Sequence, residues 1–187
     1  MSVQSPIIRG LILAGGRSTR MGIDKGGIVV HGKTQREYLL QEFSAIGIAV
    51  STSCRADQSL QPHLHPIIDS FSIDSPLNGI LSAFQFSKEN AWLAVAVDMP
   101  YVDRSVLQLL IDNRDTNKMA TCFFNNATEL PEPLLTIWEP AAFPLLLAFS
   151  EAGSKSPRDF LAAHPVKMIQ PSNPRIFYNM NMPSDIV

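Results

Sequence analysis

The chain has 187 residues, 45% of them hydrophobic and 17% charged, which fits a single globular domain over 1–187 with a core of its own. A formal net charge of −2 gives no global basic field to attract nucleic acid, so a bound nucleotide must be held by local positive charge. Two cysteines without metal-type spacing, an N-terminus without a basic-then-apolar leader, and apolar runs (91–97, 141–149) well short of the roughly 20 residues that span a bilayer point to a cytoplasmic protein without a membrane segment.

In chain order, residues 7–13 predict a buried strand, followed by a loop over 14–25 with glycines at 15, 16 and 22. A short extended piece over 27–30 leads into a helix over 34–45. Short strands over 48–52 and 66–68 precede a helix over 77–86, and 92–97 is the clearest buried strand. Asp103 caps a helix through Leu110. Strands over 119–124 and 134–138 follow, then helices over 141–149, bent or interrupted at Pro144, and 157–163. Strands over 166–169 and 176–178 close the chain. This alternation predicts an α/β fold with a mostly parallel central sheet and helices on both faces. In such sheets ligands bind beyond the carboxyl ends of the strands, which directs attention to the residues after Leu13, Ile68 and Val97.

The first of these places carries Leu13-Ala14-Gly15-Gly16-Arg17-Ser18-Thr19-Arg20-Met21-Gly22, then Asp24 and Lys25. Glycines let a backbone curl with its N–H groups turned toward one point, where phosphate oxygens bind, and Arg17, Arg20 and Lys25 supply the charge a triphosphate needs. A surface loop with solvated cations is the alternative for such a stretch. A second stretch, Gly27-Ile28-Val29-Val30-His31-Gly32-Lys33-Thr34, fits GxxxxGK[ST] letter for letter. Its interior has strand character and a loop precedes it, so the context of a P-loop is lacking, and Gly32-Lys33 reads as the turn into the helix at Thr34.

The loop resembles the LAGGxSxRMGxDK signature of the molybdenum cofactor guanylyltransferase family, whose members have a fold like that of the nucleotide-diphospho-sugar transferases. Every specified position of that signature matches. The resemblance implies that Leu13, Ala14, Gly15, Gly16 and Lys25 bind nucleotide and that Lys25 and Arg20 neutralise charge during transfer.

Asp98 ends the strand over 92–97 and is followed by Met99-Pro100. A carboxylate at a strand end suits Mg²⁺, which takes one or two carboxylates and completes its shell with water and phosphate; capping the next helix is the alternative, though Asp103 is better placed for that. The family carries an acidic Mg²⁺ ligand in this context, and Asp98 matches it. Asp69 follows the strand over 66–68, and Ser75-Pro76-Leu77-Asn78-Gly79 resembles the family's GPLxG turn. The resemblance makes Asp69 an NTP-contacting residue. Ser75 stands where the family has Gly, so a Cβ there is expected to perturb the backbone or the sugar pocket. Cys54, before Arg55, stands where the family often has a nucleotide-contacting Asn, and a thiol cannot supply that amide's hydrogen bonds.

Glu132-Pro133-Leu134-Leu135-Thr136-Ile137-Trp138 resembles the family's (E/Q)PLxxxY segment, part of its acceptor side, and Ser156-Pro157-Arg158-Asp159-Phe160-Leu161 matches its short helix less specifically. Asn179-Met180-Asn181-Met182-Pro183-Ser184-Asp185 fits the terminal NxNxPxD pattern, where Asn181 either ligates the metal or serves, with Asn179, as a turn residue. His63 and His65 form a near pair without a third ligand and read as surface loop. The resemblance implies a catalytic set of Lys25, Arg20 and Asp98 that transfers GMP from GTP to molybdenum-bearing molybdopterin with Mg²⁺, and further partners among molybdoenzymes or cofactor-biosynthesis proteins. The alternatives are a sister transferase that uses CTP or a sugar phosphate, and a GTP-binding module without catalysis.

Overall fold

The computed structural model describes residues 5–16 and 25–180. Its strands are β1 (Ile8–Leu13), β2 (Val29–Val30), β3 (Lys33–Thr34), β4 (Val50–Cys54), β5 (Pro66–Ile68), β6 (Ala91–Ala96), β7 (Ala120–Asn125), β8 (Leu130–Trp138) and β9 (Lys167–Ile169). Seven of them form one sheet in the order β5-β4-β1-β6-β8-β7-β9. β4 and β6 flank β1 in parallel, with Leu13 opposite Ser53 on one side and Ala96 on the other. Only β8 runs against its neighbours. The chain goes from β1 outward to β4 and β5, then crosses back through a helix to β6 on β1's other side. That reversal opens a crevice at the carboxyl ends of β1, β4 and β6.

Among the described residues five helices cover the sheet: α1 (Gln35–Ala45), α2 (Leu77–Phe86), α3 (Arg104–Asp112), α4 (Phe143–Glu151) and α5 (Pro157–Ala163). On one face Leu39 and Phe43 of α1 and Leu107 and Leu110 of α3 pack on Ile12, Leu93 and Val95. On the other, Leu77, Ile80 and Phe84 of α2, Leu146 of α4 and Phe160 of α5 pack on Leu11, Leu13 and Trp92. β1 therefore feeds both layers from alternate residues, as strand geometry dictates, and each such buried side chain contributes about 1.5–3 kcal/mol.

The helix starts follow the sequence. Thr34 accepts from the Glu37 N–H while Glu37 accepts from the Thr34 N–H, a reciprocal cap on α1. Asp103 accepts from the Ser105 and Val106 N–H groups at 2.9 and 3.0 Å and caps α3 as expected. Three expectations need correction. Residues 176–178 are not a strand: Pro174–Phe177 forms a 3-10 turn, begun by the Asn173 side chain accepting from the Arg175 N–H. Pro144 does not interrupt its helix, because α4 starts at Phe143 and places Pro144 in the first turn, where its missing N–H is not needed. The turn before α1 is His31-Gly32 rather than Gly32-Lys33. Both residues have positive φ (56° and 76°), and Lys33 pairs with Val30 in a two-residue hairpin.

A buried ion pair ties the antiparallel half of the sheet to the N-terminal segment. Arg114 donates from Nε and Nη2 to both Glu139 oxygens (2.6 and 2.8 Å) and from Nη1 to the Pro6 carbonyl (2.8 Å). Glu139→Ala leaves that guanidinium buried without its counter-charge. It is expected to cost about 3 kcal/mol of stability, read as a lower urea midpoint with an unchanged slope.

Candidate active site

Of the expected residues, those that are described (Gly15, Lys25, Asp69 and Asp98 among them) lie together at the carboxyl ends of the parallel strands. Ala14 leaves β1 with its N–H on the Ser53 carbonyl (3.1 Å), and the Val97 N–H reaches back to the Leu13 carbonyl (3.1 Å). Parallel pairing of Leu13 with Ala96 therefore sends Gly15-Gly16 and Asp98 out of the sheet side by side. Lys25, on a 3-10 turn over Lys25–Gly27, donates from Nζ to Asp98 Oδ2 at 2.7 Å. Their side chains are 18% and 19% exposed, sheltered enough to interact strongly yet open to a ligand. Arg20 and Asn181, with Arg17, Ser18 and Asp24, lie outside the described residues.

The segment bearing Asp98 is fixed from three directions. The Asp98 carbonyl accepts from the Met180 N–H (2.9 Å), so the chain just before Asn181 docks at this site. Met180 itself is buried against Ile28 and Val30. Gln35 Nε2 donates to the Met99 carbonyl (3.2 Å), and His31 Nε2 donates to the Pro100 carbonyl (2.9 Å). The stretch that spells GxxxxGK[ST] is thus a hairpin and helix start that braces residues 99–100. Lys33 is engaged with Gln41, and no P-loop forms.

Asp69 stands at the end of β5 with its N–H on the Cys54 carbonyl (2.8 Å). Its Oδ1 accepts the Ser53 hydroxyl at 2.6 Å. Burial raises its carboxyl pKa above the ordinary 3.8, against the opposing pull of the Ser53 hydrogen bond and the Arg55 charge. Two glycines make room here. A Cβ on Gly15 would collide with Asp69 Oδ2, and a Cβ on Gly79 would collide with Ser53 Oγ. The final glycine of the Pro76-Leu77-Asn78-Gly79 turn is therefore the spacer that lets α2 approach Ser53. Asn78 pins the preceding loop, accepting from the Phe71 N–H (3.1 Å) and donating to the Phe71 and Ile73 carbonyls.

The two departures from the family pattern have local explanations. Ser75 does not strain the backbone, since its φ is not positive. Its hydroxyl accepts from the Leu77 N–H (3.2 Å) and donates to the Lys155 carbonyl (2.6 Å), so the expected perturbation is absent from the backbone. Cys54 is fully buried at the end of β4, and burial pushes its thiol pKa up. It takes the role of a small strand-end residue.

Sequence reasoning passed over the inner partners of the site. Ser53 and Gln58 carried no motif, although two serines at 51 and 53 within a wholly buried strand are a signal that their hydroxyls have work to do. Gln58 Nε2 reaches the Ala14 carbonyl (3.1 Å), and Arg55 Nη1 reaches the Gly15 and Gly16 carbonyls (3.1 and 3.0 Å). On the far side of Asp98, Glu132 of β8 is buried, with the Leu134 N–H at 3.1 Å and Arg158 Nη2 of α5 at 3.4 Å. Burial raises its pKa, and the charge of Asp98 raises it further.

His63 and His65 are exposed, and the described residues contain no group of three or more potential metal-ligating side chains. A depression of about 620 Å³ lies at the opposite, amino end of β1, β4 and β5, beside Arg9, Val50, Pro66 and Phe86. None of the expected site residues lines it. No helix among the described residues is long and apolar enough to cross a membrane.

Comparison with known proteins agrees with this arrangement. The MobA-like NTP transferase domain family matches over residues 10–168. A molybdenum cofactor biosynthesis bifunctional protein of Synechocystis sp. is 30% identical over 185 residues; the match covers 97% of this chain but 53% of that protein, so the chain spans about half its length. A probable molybdenum cofactor guanylyltransferase of Natronomonas pharaonis is 30% identical over 76% of this chain and 72% of its own. Among solved structures, molybdopterin-guanine dinucleotide biosynthesis protein A of Archaeoglobus fulgidus superposes with a TM-score of 0.79 at 22% identity, covering 95% and 94% of the two chains. The 2-C-methyl-D-erythritol 4-phosphate cytidylyltransferase of Thermus thermophilus gives 0.70 at 14% identity, covering 100% and 96%. The last two comparisons speak to the fold, a nucleotidyltransferase fold, while the family match extends over most of the sequence. The chain belongs to the MobA-like NTP transferase family and is a nucleotidyltransferase.

Proposed function

We propose that this enzyme transfers GMP from GTP to the phosphate of molybdenum-bearing molybdopterin in the cytoplasm and releases pyrophosphate. The carrying observation is the Lys25–Asp98 pair beside the Gly15-Gly16 turn at the crevice of the sheet. The relatives named molybdenum cofactor guanylyltransferase support a guanylyl donor and a molybdenum cofactor acceptor.

In this reading an oxygen of the acceptor phosphate bonds to the α-phosphorus of GTP while the bond to the bridging oxygen breaks and the electron pair leaves with pyrophosphate. Among the described residues, the N–H groups of Gly15 and Gly16 make no hydrogen bond and serve the phosphate oxygens. Lys25 neutralises the charge that spreads over the non-bridging and leaving oxygens, as such positional and electrostatic chemistry demands. Asp69 and Ser53 order the nucleoside side. A phosphomonoester with a second pKa of about 6 is already anionic at neutral pH, so the acceptor needs no general base. That fits a site built without a catalytic histidine among its described residues.

The donor set fits Mg²⁺. Asp98 offers one partly exposed carboxylate, Glu132 lies nearby, and this ion is commonly satisfied by one or two carboxylates together with water and phosphate. Asp98 would hold it, with Asn181 as the second expected ligand. A bound Mg²⁺ supplies charge stabilisation to the phosphates.

Pyrophosphate release, measured with each of the four NTPs in the presence and absence of molybdopterin, tests the reading. Release that requires both GTP and molybdopterin is expected. Release with CTP, or with a sugar phosphate in place of the pterin, assigns a sister activity. GTP binding without release under any condition removes catalysis.

Lys25→Ala and Asp98→Ala are each expected to lower turnover about 100-fold or more while thermal unfolding and circular dichroism stay close to wild type. Wild-type rates in either variant end that residue's role. Asp69→Asn separates stability from binding. Because the folded carboxyl titrates above its ordinary value, the favourable contribution of its protonated form is complete below about pH 4 and is lost as pH rises through the folded pKa. The melting temperature of Asp69→Asn is expected to match wild type near pH 4 and to exceed it at pH 7, while KM for the NTP rises about tenfold. A variant less stable than wild type at pH 7 contradicts the assignment.

A further inference from the structure

We propose that Arg55 and Gln58 are positioning residues that set the peptide planes of residues 14–16 so that their N–H groups meet phosphate; the proposal rests on the reading of this turn as the triphosphate site. Three successive carbonyls of the turn point toward the segment after β4. Ala14 O accepts from Gln58 Nε2 at 3.1 Å, and Gly15 O and Gly16 O accept from Arg55 Nη1 at 3.1 and 3.0 Å. In a planar trans peptide the C=O of one residue and the N–H of the next point in opposite directions. Holding the Ala14 and Gly15 carbonyls toward residues 55–58 therefore turns the Gly15 and Gly16 N–H groups the other way. Those two N–H groups have no partner among the described residues, whereas the Ala14 N–H is occupied by Ser53.

The clamp is itself fixed. Gln58 is a two-ended brace: its Oε1 accepts from the Arg55 N–H (2.9 Å), and its Nε2 holds Ala14. The Arg55 guanidinium is steered by Asp57 Oδ1 on Nε (2.8 Å), which leaves Nη1 directed at the glycines. Two adjacent glycines left unclamped populate many backbone conformations, including ones that present carbonyl oxygens to an anion and repel it. The cation behind the turn therefore acts on phosphate through the backbone. It also lowers the pKa of Asp69, which burial raises, so one guanidinium steadies both the turn and its neighbouring carboxylate.

Arg55→Ala, Arg55→Lys and Gln58→Ala, assayed with whichever NTP the wild type turns over, test the clamp together with amide exchange at residues 14–16. Arg55→Ala is expected to raise KM for the NTP about tenfold with kcat changed less than about threefold, and to speed exchange at Gly15 and Gly16. Arg55→Lys recovers part of the KM, since an ammonium reaches one carbonyl as a point charge. Gln58→Ala gives a smaller rise of the same kind. A KM within about twofold of wild type with unchanged exchange overturns the proposal, as does a fall in kcat alone. If Arg55→Ala fails to fold, Arg55→Lys and Gln58→Ala decide by the same two readouts. A wild-type protein that turns over no NTP removes the reaction assigned above, and amide exchange alone then judges the clamp.

Discussion

The parallel pairing of β1 with β6 is the constraint on which the site depends. The Leu13–Ala96 register fixes where the glycine turn and Asp98 emerge, and the Lys25–Asp98 pair then closes the gap between them. A slip of one residue in either strand would send its side chains to the opposite layer and move the carboxylate off the crevice. The register is held by two hydrophobic layers with quite different partners, α1 and α3 on one side and α2, α4 and α5 on the other. Packing energy in the core is thereby converted into placement of polar groups at the rim. The C-terminal segment adds a further tie, the Met180 N–H on the Asp98 carbonyl.

Positive and negative groups are interleaved around the turn. Lys25 and Arg55 approach the turn from different places, one paired to Asp98 and the other lodged on the carbonyls behind the glycines. Asp69 and Glu132 are both buried carboxyls whose pKa values burial raises. Such groups weaken the fold when ionised. By contrast, the Arg114–Glu139 pair is a bidentate contact beside the N-terminal segment, and its two charges satisfy one another. Burial of charge alone thus says little about where a residue sits: Asp69 lies against Gly15 and Glu132 within the field of Asp98, whereas Glu139 lies with Arg114 beside the Pro6 carbonyl.

Much of this was legible in the sequence because the signals were periodic or local. The run over 92–97 reads as a buried strand because nothing in it is polar, and Asp103 announces α3 because its carboxylate reaches the free N–H groups of the first turn. Asp69 and Asp98 could be placed because each follows a β-branched or apolar strand directly. What could not be read were pairings across the chain. Ser53 finds Asp69 only through the β4–β5 register, and Gln58 finds Ala14 only once β4 lies beside β1. The extension of β8 back to Leu130 escaped because Pro131 and Pro133 look like strand breakers, yet Pro133 falls in the stretch where the β7–β8 register shifts and Pro131 lies opposite Phe124 beyond it. The final predicted strand failed for the opposite reason: Ile176 and Tyr178 look extended, but Asn173 caps a turn first.

The tight packing around Asp69 has an evolutionary consequence. Gly15, Ser53, Asp69 and Gly79 occupy a volume in which no member can grow without another yielding. The effects of enlarging them are therefore expected to be epistatic, a larger side chain at Gly15 or Gly79 being harmful in a background that keeps Asp69 and Ser53. Evolutionary routes that enlarge any of these positions must change a neighbour as well, and directed-evolution libraries that vary them one by one will miss the compensated combinations.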